Sequence, residues 1–409
     1  MTSKHVLIVG CGPAGSACAI TARRHGMQVT VVDKAVFPRD KCCGDGLTTG
    51  ALHLIEELGV KPSDIPSWKQ IEDIYMQAPD GRTIELPLPK ENGQFAAITA
   101  RVELDMALHD RAIELGVNVI EGVGIVAVTQ GESNVRITLD SGESLTGDYL
   151  VAADGMWSPT KKIICGPTDA DSSNPYLGQW HAFRQYISDV TGPAKDRLYV
   201  WFEPDLLPGY VWSFPLGDGR VNFGFGILRG GNIEVRDMRW IWPQLLQRPH
   251  IMEKLGGGYK LIDRHLAWPI PAQIDKTVLS KDRTLFVGDA ACAPDPMTGE
   301  GIGQAVLTGM LAAKAIAVGT NPQQTSALYE EGVRKSLVAD HRMSLLLGKL
   351  LAHTRTTNWA LWLTDRSNWT RRNFARWMFE DEPRAILLTP RRWHRRFFKR
   401  SGAYHELEI

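Results

Sequence analysis

The sequence contains few cysteines, no long uncharged segment and no excess of either charge. Its 409 residues include 6 cysteines without C-x-x-C spacing, so neither a disulfide framework nor a metal site is expected, and a reducing cytoplasm fits this usage. The longest apolar segment, residues 305–319, contains Lys314 and is shorter than the ~18 residues that span a bilayer. Lysine plus arginine number 46, as do aspartate plus glutamate, so the charge gives no reason to expect nucleic acid as a partner.

The most informative segment lies near the start of the chain, between residues 6 and 34. Val6-Leu7-Ile8-Val9 predicts a strand buried on both faces, and a G-x-G-x-x-G turn follows it directly. A helical pattern and a second strand come next, and Asp33 stands about 20 residues beyond the last glycine. This order is typical of a dinucleotide-binding fold. The turn consists of Gly10, Cys11, Gly12, Pro13, Ala14 and Gly15.

Each glycine of this turn has its own physical role. Gly10 permits the tight bend, Gly12 lets backbone N–H groups approach a pyrophosphate, and Gly15 lets helix and strand pack closely. Asp33 is placed to bind a ribose hydroxyl, with Lys34 beside it. A purely structural glycine-rich turn is the alternative, but it does not account for the ordered strand, helix, strand and acid.

A polar, glycine-rich loop, residues 37–47, follows where a simple nucleotide-binding unit would begin its next helix. Ligand contacts concentrate in such loops, and Arg39, Cys43 and Gly44 are the candidates here. Cys42 and Cys43 have an alternative interpretation as small buried apolar residues.

The next segment combines a helix, a small sheet and a returning strand. A helical pattern runs from Arg101 to Gly116, and alternating apolar residues then predict an antiparallel meander. Residues 149–155 form an apolar run that ends in Asp154-Gly155. This run predicts a strand that returns to the nucleotide-binding sheet.

Aromatic strands dominate residues 167–268 and indicate a substrate domain. Tyr210, Trp212 and Phe214 alternate along one strand, and residues 217–219 join it to the next as a hairpin. In that next strand, residues 221–227, the glycines share one face with Asn222, which lets a flat ring or a backbone approach.

A second apolar strand ends in Gly288-Asp289, and a glycine-rich helix start follows it. The residues Gly299, Gly301 and Ile302 open a helix of small residues, whose N-terminus can bind an anion or a ring carbonyl. Residues from about 325 to 404 read as helical.

The tail has a composition of its own. From residue 341 to 409 there are fourteen Lys and Arg against six Asp and Glu, so the tail is near +8 and the remainder near −8. Thr389-Pro390 predicts a helix start, after which a basic pattern with interfacial aromatics indicates membrane-surface contact. A helix that covers the second domain with its arginines in solvent is the alternative. The residues of this pattern are Arg391, Arg392, Trp393, Arg395, Arg396 and Phe397.

With these motifs together, the chain resembles FAD-dependent oxidoreductases of the para-hydroxybenzoate hydroxylase fold. The resemblance implies FAD as cofactor, with Asp33 on the adenosine ribose and with Arg101 and Asp289 near the ribityl and phosphate portion. It also implies that the helix after Gly299-Glu300-Gly301 points its N-terminus at the isoalloxazine, where it stabilises the anionic reduced flavin.

Within that group the chain most resembles the geranylgeranyl reductase family. Three segments carry the likeness: residues 37–47, the run Pro208-x-Tyr210-x-Trp212-x-Phe214-Pro215, and residues 296–302. They span nearly the first 320 residues in the right order. Cys42 is an extra thiol beside the matched Cys43, and Cys292 stands where the family usually has a small residue.

The resemblance implies reduction of isolated double bonds in a polyprenyl chain, with hydride from reduced flavin and a proton from an acid or water. Such an alkene has no oxyanion to stabilise, so catalysis must rest on placement and on exclusion of water. Tyr210 and Trp212 are the candidates for an aromatic-lined tunnel, with plain core packing as the alternative. Cys43 is the candidate beside the flavin, because a thiol with a pKa near ~8.5 is protonated at neutral pH.

The electron donor, the exact activity and the partner have alternatives that the sequence leaves open. NAD(P)H or reduced ferredoxin would supply electrons, and no second dinucleotide fingerprint is visible. A monooxygenase or halogenase on the same fold is the rival activity, although Tyr210-Val211-Trp212-Ser213-Phe214-Pro215 stands where a halogenase would carry W-x-W-x-I-P. A non-enzymatic, membrane-docked flavoprotein is a further alternative. The partner expected is an isoprenoid or another hydrophobic small molecule.

The predicted fold class is α/β, a discontinuous Rossmann-like FAD-binding domain with an inserted, mostly antiparallel β domain. The expected location is cytoplasmic, with the tail as a peripheral contact at the inner face of the cell membrane. The expected FAD-binding segments are residues 1–75, 100–166 and 275–325, the expected substrate domain is residues 76–99 and 167–274, and the helical, basic, Trp-rich region is residues 326–409.

Overall fold

A computed structural model describes residues 3–166, 176–378, 385 and 401–405. The strands are β1 His5–Val9, β2 Gln28–Asp33, β3 Gly46–Thr48, β4 Lys69–Gln70, β5 Asp73–Gln77, β6 Thr83–Pro87, β7 Ala96–Ile98, β8 Asn118–Glu121, β9 Ile125–Gln130, β10 Val135–Leu139, β11 Ser144–Gly147, β12 Tyr149–Ala152, β13 Trp180–Ser188, β14 Leu198–Trp201, β15 Val211–Pro215, β16 Val221–Leu228, β17 Lys260–Ile270, β18 Ser280–Lys281 and β19 Thr284–Phe286. The helices are α1 Pro13–Arg24, α2 Thr49–Leu58, α3 Arg101–Glu114, α4 Pro159–Cys165, α5 Met238–Leu246, α6 Pro249–Leu255, α7 Ile302–Val318, α8 Pro322–Val333, α9 Ala339–Leu351, α10 Thr354–Thr364 and α11 Asn368–Met378.

A six-stranded sheet in the order β18-β19-β12-β1-β2-β8 forms the nucleotide-binding part. All its pairs are parallel except β18 with β19. Residues 6–9 of β1 are buried, as expected for a parallel strand covered on both faces. The predicted return of residues 149–152 is confirmed, because β12 pairs with β1. The predicted meander is confirmed as the antiparallel sheet β11-β10-β9.

A seven-stranded sheet in the order β17-β13-β16-β15-β14-β5-β6 forms the second part. Alternation along β16 divides its side chains as predicted: Phe223 and Phe225 are buried in a core that also contains Trp242 of α5. On the opposite face, a Cβ atom at Gly224 would overlap the ring of Trp212. The flat ring that this glycine accommodates is therefore an indole of the neighbouring strand.

The second sheet begins earlier than the expected boundary between residues 75 and 76. That boundary falls inside β5, which pairs in parallel with β14 from Ile74 to Gln77. A pairing between segments more than a hundred residues apart leaves no local signal in the sequence. Strand β7, expected in the substrate domain, pairs with β3 and β4 in a small separate sheet.

The tail packs on the second sheet through part of its helical surface. Leu361 of α10 and Ala375 of α11 are buried in the same cluster as β5 and β6. The prediction that the helical region extends to residue 404 is wrong for residues 401–405, which are not helical. Ala403 forms a β-bridge with Gln94, and the Tyr404 hydroxyl donates to the Val60 carbonyl. The predicted helix at Thr389-Pro390 and the basic pattern after it lie outside the described residues.

Candidate flavin and substrate site

One cavity of about 1070 Å³ runs between the two large sheets and extends to helices α9–α11. Every residue predicted for the site lines this cavity except Gly15. Gly15 lies behind the turn, where a Cβ atom would overlap the Gly10 carbonyl oxygen. It therefore permits the close packing of helix on strand, the role that the turn assigns to its third glycine. The lining residues predicted from sequence are Gly10, Gly12, Pro13, Ala14, Asp33, Lys34, Arg39, Cys43, Gly44, Arg101, Asp154, Tyr210, Trp212, Gly288, Asp289, Gly299, Gly301 and Ile302.

The glycine turn forms one end of the cavity and leaves room for a bulky ligand. Gly10 adopts a φ of 100°, and Gly12 is the N-cap of α1. A Cβ atom at Gly12 would approach only the Arg39 Nη2 atom, at 3.2 Å. The unpaired N–H groups of the first helical turn thus face open space beside a guanidinium, an arrangement that suits a pyrophosphate.

Asp33 lies at the end of β2, where its carboxylate fixes the turn. Its oxygens accept the backbone N–H of Cys11 at 2.7 Å and of Ala35 at 2.8 Å. Because an ionised carboxylate offers about four acceptor positions, Asp33 can accept ribose hydroxyls as well. With the turn and the cavity volume, these groups fit an adenine dinucleotide.

Two arginines flank a buried acid between the turn and the loop of residues 37–47. Asp105 is fully buried and accepts two hydrogen bonds from Arg101, both at 2.9 Å, and one from Arg39 at 3.0 Å. The Arg101 guanidinium also lies beside the Cys43 thiol. The buried triad therefore holds both cations at fixed positions along the cavity wall.

The opposite wall is built by the ends of β12 and β19 and by the start of α7. Asp289 forms an ion pair with Lys41 at 3.0 Å, and Gly301 is the N-cap of α7. Asp154 accepts the Thr160 N–H at 2.9 Å at the start of α4, and burial raises the pKa of this carboxyl. A second helix N-terminus thus faces the cavity, where its partial positive charge favours an anionic ring.

Aromatic side chains of β15 and of Tyr210, the residue before it, form the wall beyond the loop of residues 37–47. The Tyr210 hydroxyl donates to the Thr298 carbonyl, and the ring centroids of Tyr210 and Trp212 lie 5.9 Å apart. Trp212 is 5% exposed, yet it lines the cavity and donates Nε1–H to Asn222 at 2.9 Å. Trp212 is therefore both a core residue and a residue of the cavity wall, so the two interpretations of this strand do not exclude each other.

A buried polar network, which the sequence-based prediction missed, holds the backbone around Cys43 in place. The Asp45 carboxylate accepts the Tyr186 hydroxyl and the Asn222 amide, both at 2.7 Å, and the Arg101 N–H at 3.3 Å. Asn222 also donates to the Cys43 carbonyl at 2.8 Å, so it connects the Trp212 indole to the loop. The available signal was an asparagine on the glycine face of an otherwise apolar strand.

Asp45 should give the protein a distinctive pH dependence of stability. Burial raises its pKa to about 6, so between about pH 4 and pH 6 the folded chain holds a proton that the unfolded chain releases. The contribution of Asp45 to the free energy of unfolding should therefore fall as pH rises through 6, by roughly 3 kcal/mol. Urea unfolding of Asp45→Asn from pH 4 to pH 7 should lack this component. Asp282→Asn, at an exposed turn, is the control, and equal slopes for wild type and Asp45→Asn would contradict the assignment.

The two adjacent cysteines have different surroundings. The Cys42 thiol donates to the Leu266 carbonyl at 3.5 Å, and burial raises its pKa to about 12. Cys43 Sγ accepts the Asp45 N–H at 3.3 Å, and burial raises its pKa as well. Both thiols are therefore protonated at neutral pH, and both line the cavity.

Comparison with known proteins identifies an FAD binding domain family and relatives that are named as reductases. The FAD binding domain family matches residues 3–335. The chain is 30% identical over 377 residues to a menaquinone reductase of Mycolicibacterium smegmatis, covering 85% of each chain. It is 27% identical over 348 residues to a digeranylgeranylglycerophospholipid reductase of Methanothrix thermoacetophila, covering 81% of this chain and 83% of that protein.

Solved structures share the fold. A geranylgeranyl bacteriochlorophyll reductase-like protein of Thermoplasma acidophilum superposes with a TM-score of 0.76 at 20% identity, covering 95% of this chain and 99% of the other. The flavin-dependent halogenase CmlS superposes with a TM-score of 0.69 at 24% identity, covering 97% of this chain and 74% of the other. At these identities the superpositions establish the fold alone.

Proposed function

Because the chain belongs to the FAD binding domain family and is an FAD-dependent oxidoreductase of the geranylgeranyl reductase family, we propose that it saturates carbon–carbon double bonds of a polyprenyl chain. The relatives named as reductases of menaquinone and of a digeranylgeranyl lipid support this choice of substrate class. The prenyl chain would belong to a quinone or to an isoprenoid lipid.

The observation that carries the proposal is the continuity of the cavity. It begins at the glycine turn, passes Cys43 and the aromatic wall, and reaches apolar residues of the tail such as Phe374 and Trp377. An isolated alkene offers no charge to recognise, so a long apolar slot beside the flavin cradle is the feature that its reduction requires.

The side chains of the slot would position the alkene and exclude water. The glycine turn, Asp33 and Arg101 would hold FAD, which in its reduced form would supply the hydride. Tyr210 and Trp212 form a rigid wall, because the Tyr210 hydroxyl is bonded to Thr298 and the Trp212 indole to Asn222. A prenyl chain that packs against this wall would be shielded from water along its length. Because the wall is rigid, the same contact would hold one double bond at a fixed position relative to the flavin.

Cys43 would supply the proton. Burial raises the pKa of its thiol, so Sγ carries a proton at neutral pH. Transfer of this proton to the second alkene carbon leaves a thiolate, which the neighbouring Arg101 guanidinium stabilises until solvent returns a proton. Hydride and proton together convert the double bond to a single bond.

Replacing Cys43 tests this role. Cys43→Ala should lower turnover of a polyprenyl substrate by about 100-fold, because a positioned general acid contributes at least that much. FAD binding and flavin reduction by the electron donor should remain, and Cys43→Ser should recover part of the turnover. Cys42→Ala is the matched control. Full turnover in both Cys43 variants with bound flavin would remove the thiol from the chemistry.

The experiment that tests the function uses the holoenzyme without oxygen. Prereduced enzyme is mixed with a polyprenyl quinone or with geranylgeranyl diphosphate, and mass spectrometry detects the gain of two hydrogen atoms per saturated bond. A second arm compares NADPH with reduced ferredoxin as donor. No product from either substrate would contradict the proposal.

The halogenase CmlS shares this fold, so oxygenation or halogenation is the alternative activity to test. It requires oxygen, whereas alkene reduction does not. Product that appears only in air, with stoichiometric oxygen consumption, would establish the rival.

A further inference from the structure

Helices α9–α11 expose an unusual number of large apolar side chains. Trp369 is 68% exposed and Trp359 is 62% exposed, although both belong to helices that pack on the body of the protein. Six exposed large apolar residues lie within a stretch of 24 positions: Leu346, Leu350, Trp359, Trp362, Leu363 and Trp369.

These residues follow helical spacing, so each helix presents them on one face. Leu346 and Leu350 are four residues apart on α9, Trp359 and Leu363 are four apart on α10, and Trp362 lies between them on the same side. The opposite face of α10 carries Leu361, which is buried against the second sheet. The opposite face of α9 carries His341 and Ser344, which are also buried. The apolar face therefore lies on the solvent-exposed side of these helices.

Cationic side chains occupy the same faces. Arg342 precedes Leu346 by four residues, Arg355 precedes Trp359 by four, and the Arg366 guanidinium lies 4.4 Å from the Trp362 ring. Residues 339–378, which make up α9–α11, contain seven Lys and Arg and two acids. Asp365 is paired with Arg371 at 2.8 Å, and Asp340 accepts the Ala385 N–H at 2.9 Å. The exposed cations of this face are Arg342, Lys349, Arg355, Arg366 and Arg372.

The apolar face continues into the cavity. Leu350, Trp359 and Leu363 are exposed to solvent and also line the cavity. The cavity thus reaches the surface within the apolar face of α9–α11. None of the described helices is both long and apolar enough to cross a bilayer.

We propose that the exposed face of α9–α11 docks on the anionic surface of a lipid bilayer, so that a prenyl chain passes from the bilayer into the cavity without crossing water. The partner rests on charge and shape: interfacial tryptophans interleaved with arginine and lysine match the headgroup region of anionic membranes. The docking surface is inferred from the exposed apolar and cationic side chains alone, whereas the transfer of a prenyl chain rests on the proposed function.

Vesicle flotation of the full-length holoenzyme tests the surface. Vesicles of phosphatidylcholine alone are compared with equal mixtures of phosphatidylcholine and phosphatidylglycerol, at low and at high salt. The protein should float with the anionic vesicles and detach as salt rises. Trp362→Ser/Trp369→Ser, and separately Arg355→Glu/Arg366→Glu, should weaken binding by about tenfold or more.

A matched control and a second readout make the test decisive. Trp240 is 60% exposed on another helix, so Trp240→Ser should bind vesicles like the wild type. Trp362 and Trp369 do not line the cavity, so their double variant should turn over a detergent-solubilised substrate normally and a vesicle-embedded substrate more slowly. Absence of vesicle binding, or equal losses in the Trp240 variant, would overturn the docking surface. Vesicle binding without turnover of any prenyl substrate would overturn the proposed function instead.

Discussion

Gly12→Val is expected to give a folded protein that purifies without flavin. Gly12 faces the cavity, and a Cβ atom there would approach only the flexible Arg39 side chain. Its φ of −75° and extended ψ before Pro13 suit valine, so the backbone is not strained. The added methyl groups occupy the space through which a pyrophosphate approaches the N–H groups of α1, and FAD affinity should fall by about 100-fold or more, roughly 2.7 kcal/mol.

The measurement is the visible absorbance of the purified protein, followed by titration with FAD. Gly257→Val is the control, because Gly257 lies on an exposed turn with open space around its Cβ position. Circular dichroism of both variants checks the fold. A yellow Gly12→Val protein with unchanged FAD affinity would mean that the dinucleotide does not lie across this turn.

Gly226→Phe is expected to separate flavin chemistry from substrate reduction. Gly226 lines the cavity on the same face of β16 as Asn222, and the nearest atom to a Cβ there is the His181 carbonyl oxygen at 3.8 Å. A phenyl ring would therefore enter the slot without a backbone clash. Because it occupies space needed by the substrate, kcat/KM for a polyprenyl substrate should fall by about 100-fold.

Flavin content and the rate of flavin reduction by the donor should stay near the wild-type values in this variant. Stopped-flow absorbance follows the reductive step, and product analysis follows the second. Gly257→Phe adds the same ring at the exposed turn and should leave both steps intact. Normal turnover of a long prenyl substrate by Gly226→Phe would show that the substrate does not use this part of the cavity.

The sequence alone determined the features that depend on neighbouring residues. The glycine turn, Asp33 and the strands around them lie within 30 positions, so their order predicts the local geometry that the structure has. Alternation along β16 predicted which residues share a face, since successive side chains of a strand point in opposite directions. It did not predict that the ring beside Gly224 is Trp212, because that contact comes from another strand.

Tertiary structure decided the features that join distant segments. Asp45, Tyr186 and Asn222 come from three separate parts of the chain, and only their burial together turns three ordinary polar residues into a network that supports Cys43. Burial also raises the pKa of the Cys43 thiol, whereas the sequence could assign it only its ordinary value. The position of the exposed face of α9–α11 at the mouth of the cavity is also decided by tertiary structure, because it depends on the packing of α10 and α11 on the second sheet. Side-chain type and spacing fix local geometry, but burial, charge environment and access to a cavity are properties of packing between residues far apart in the chain.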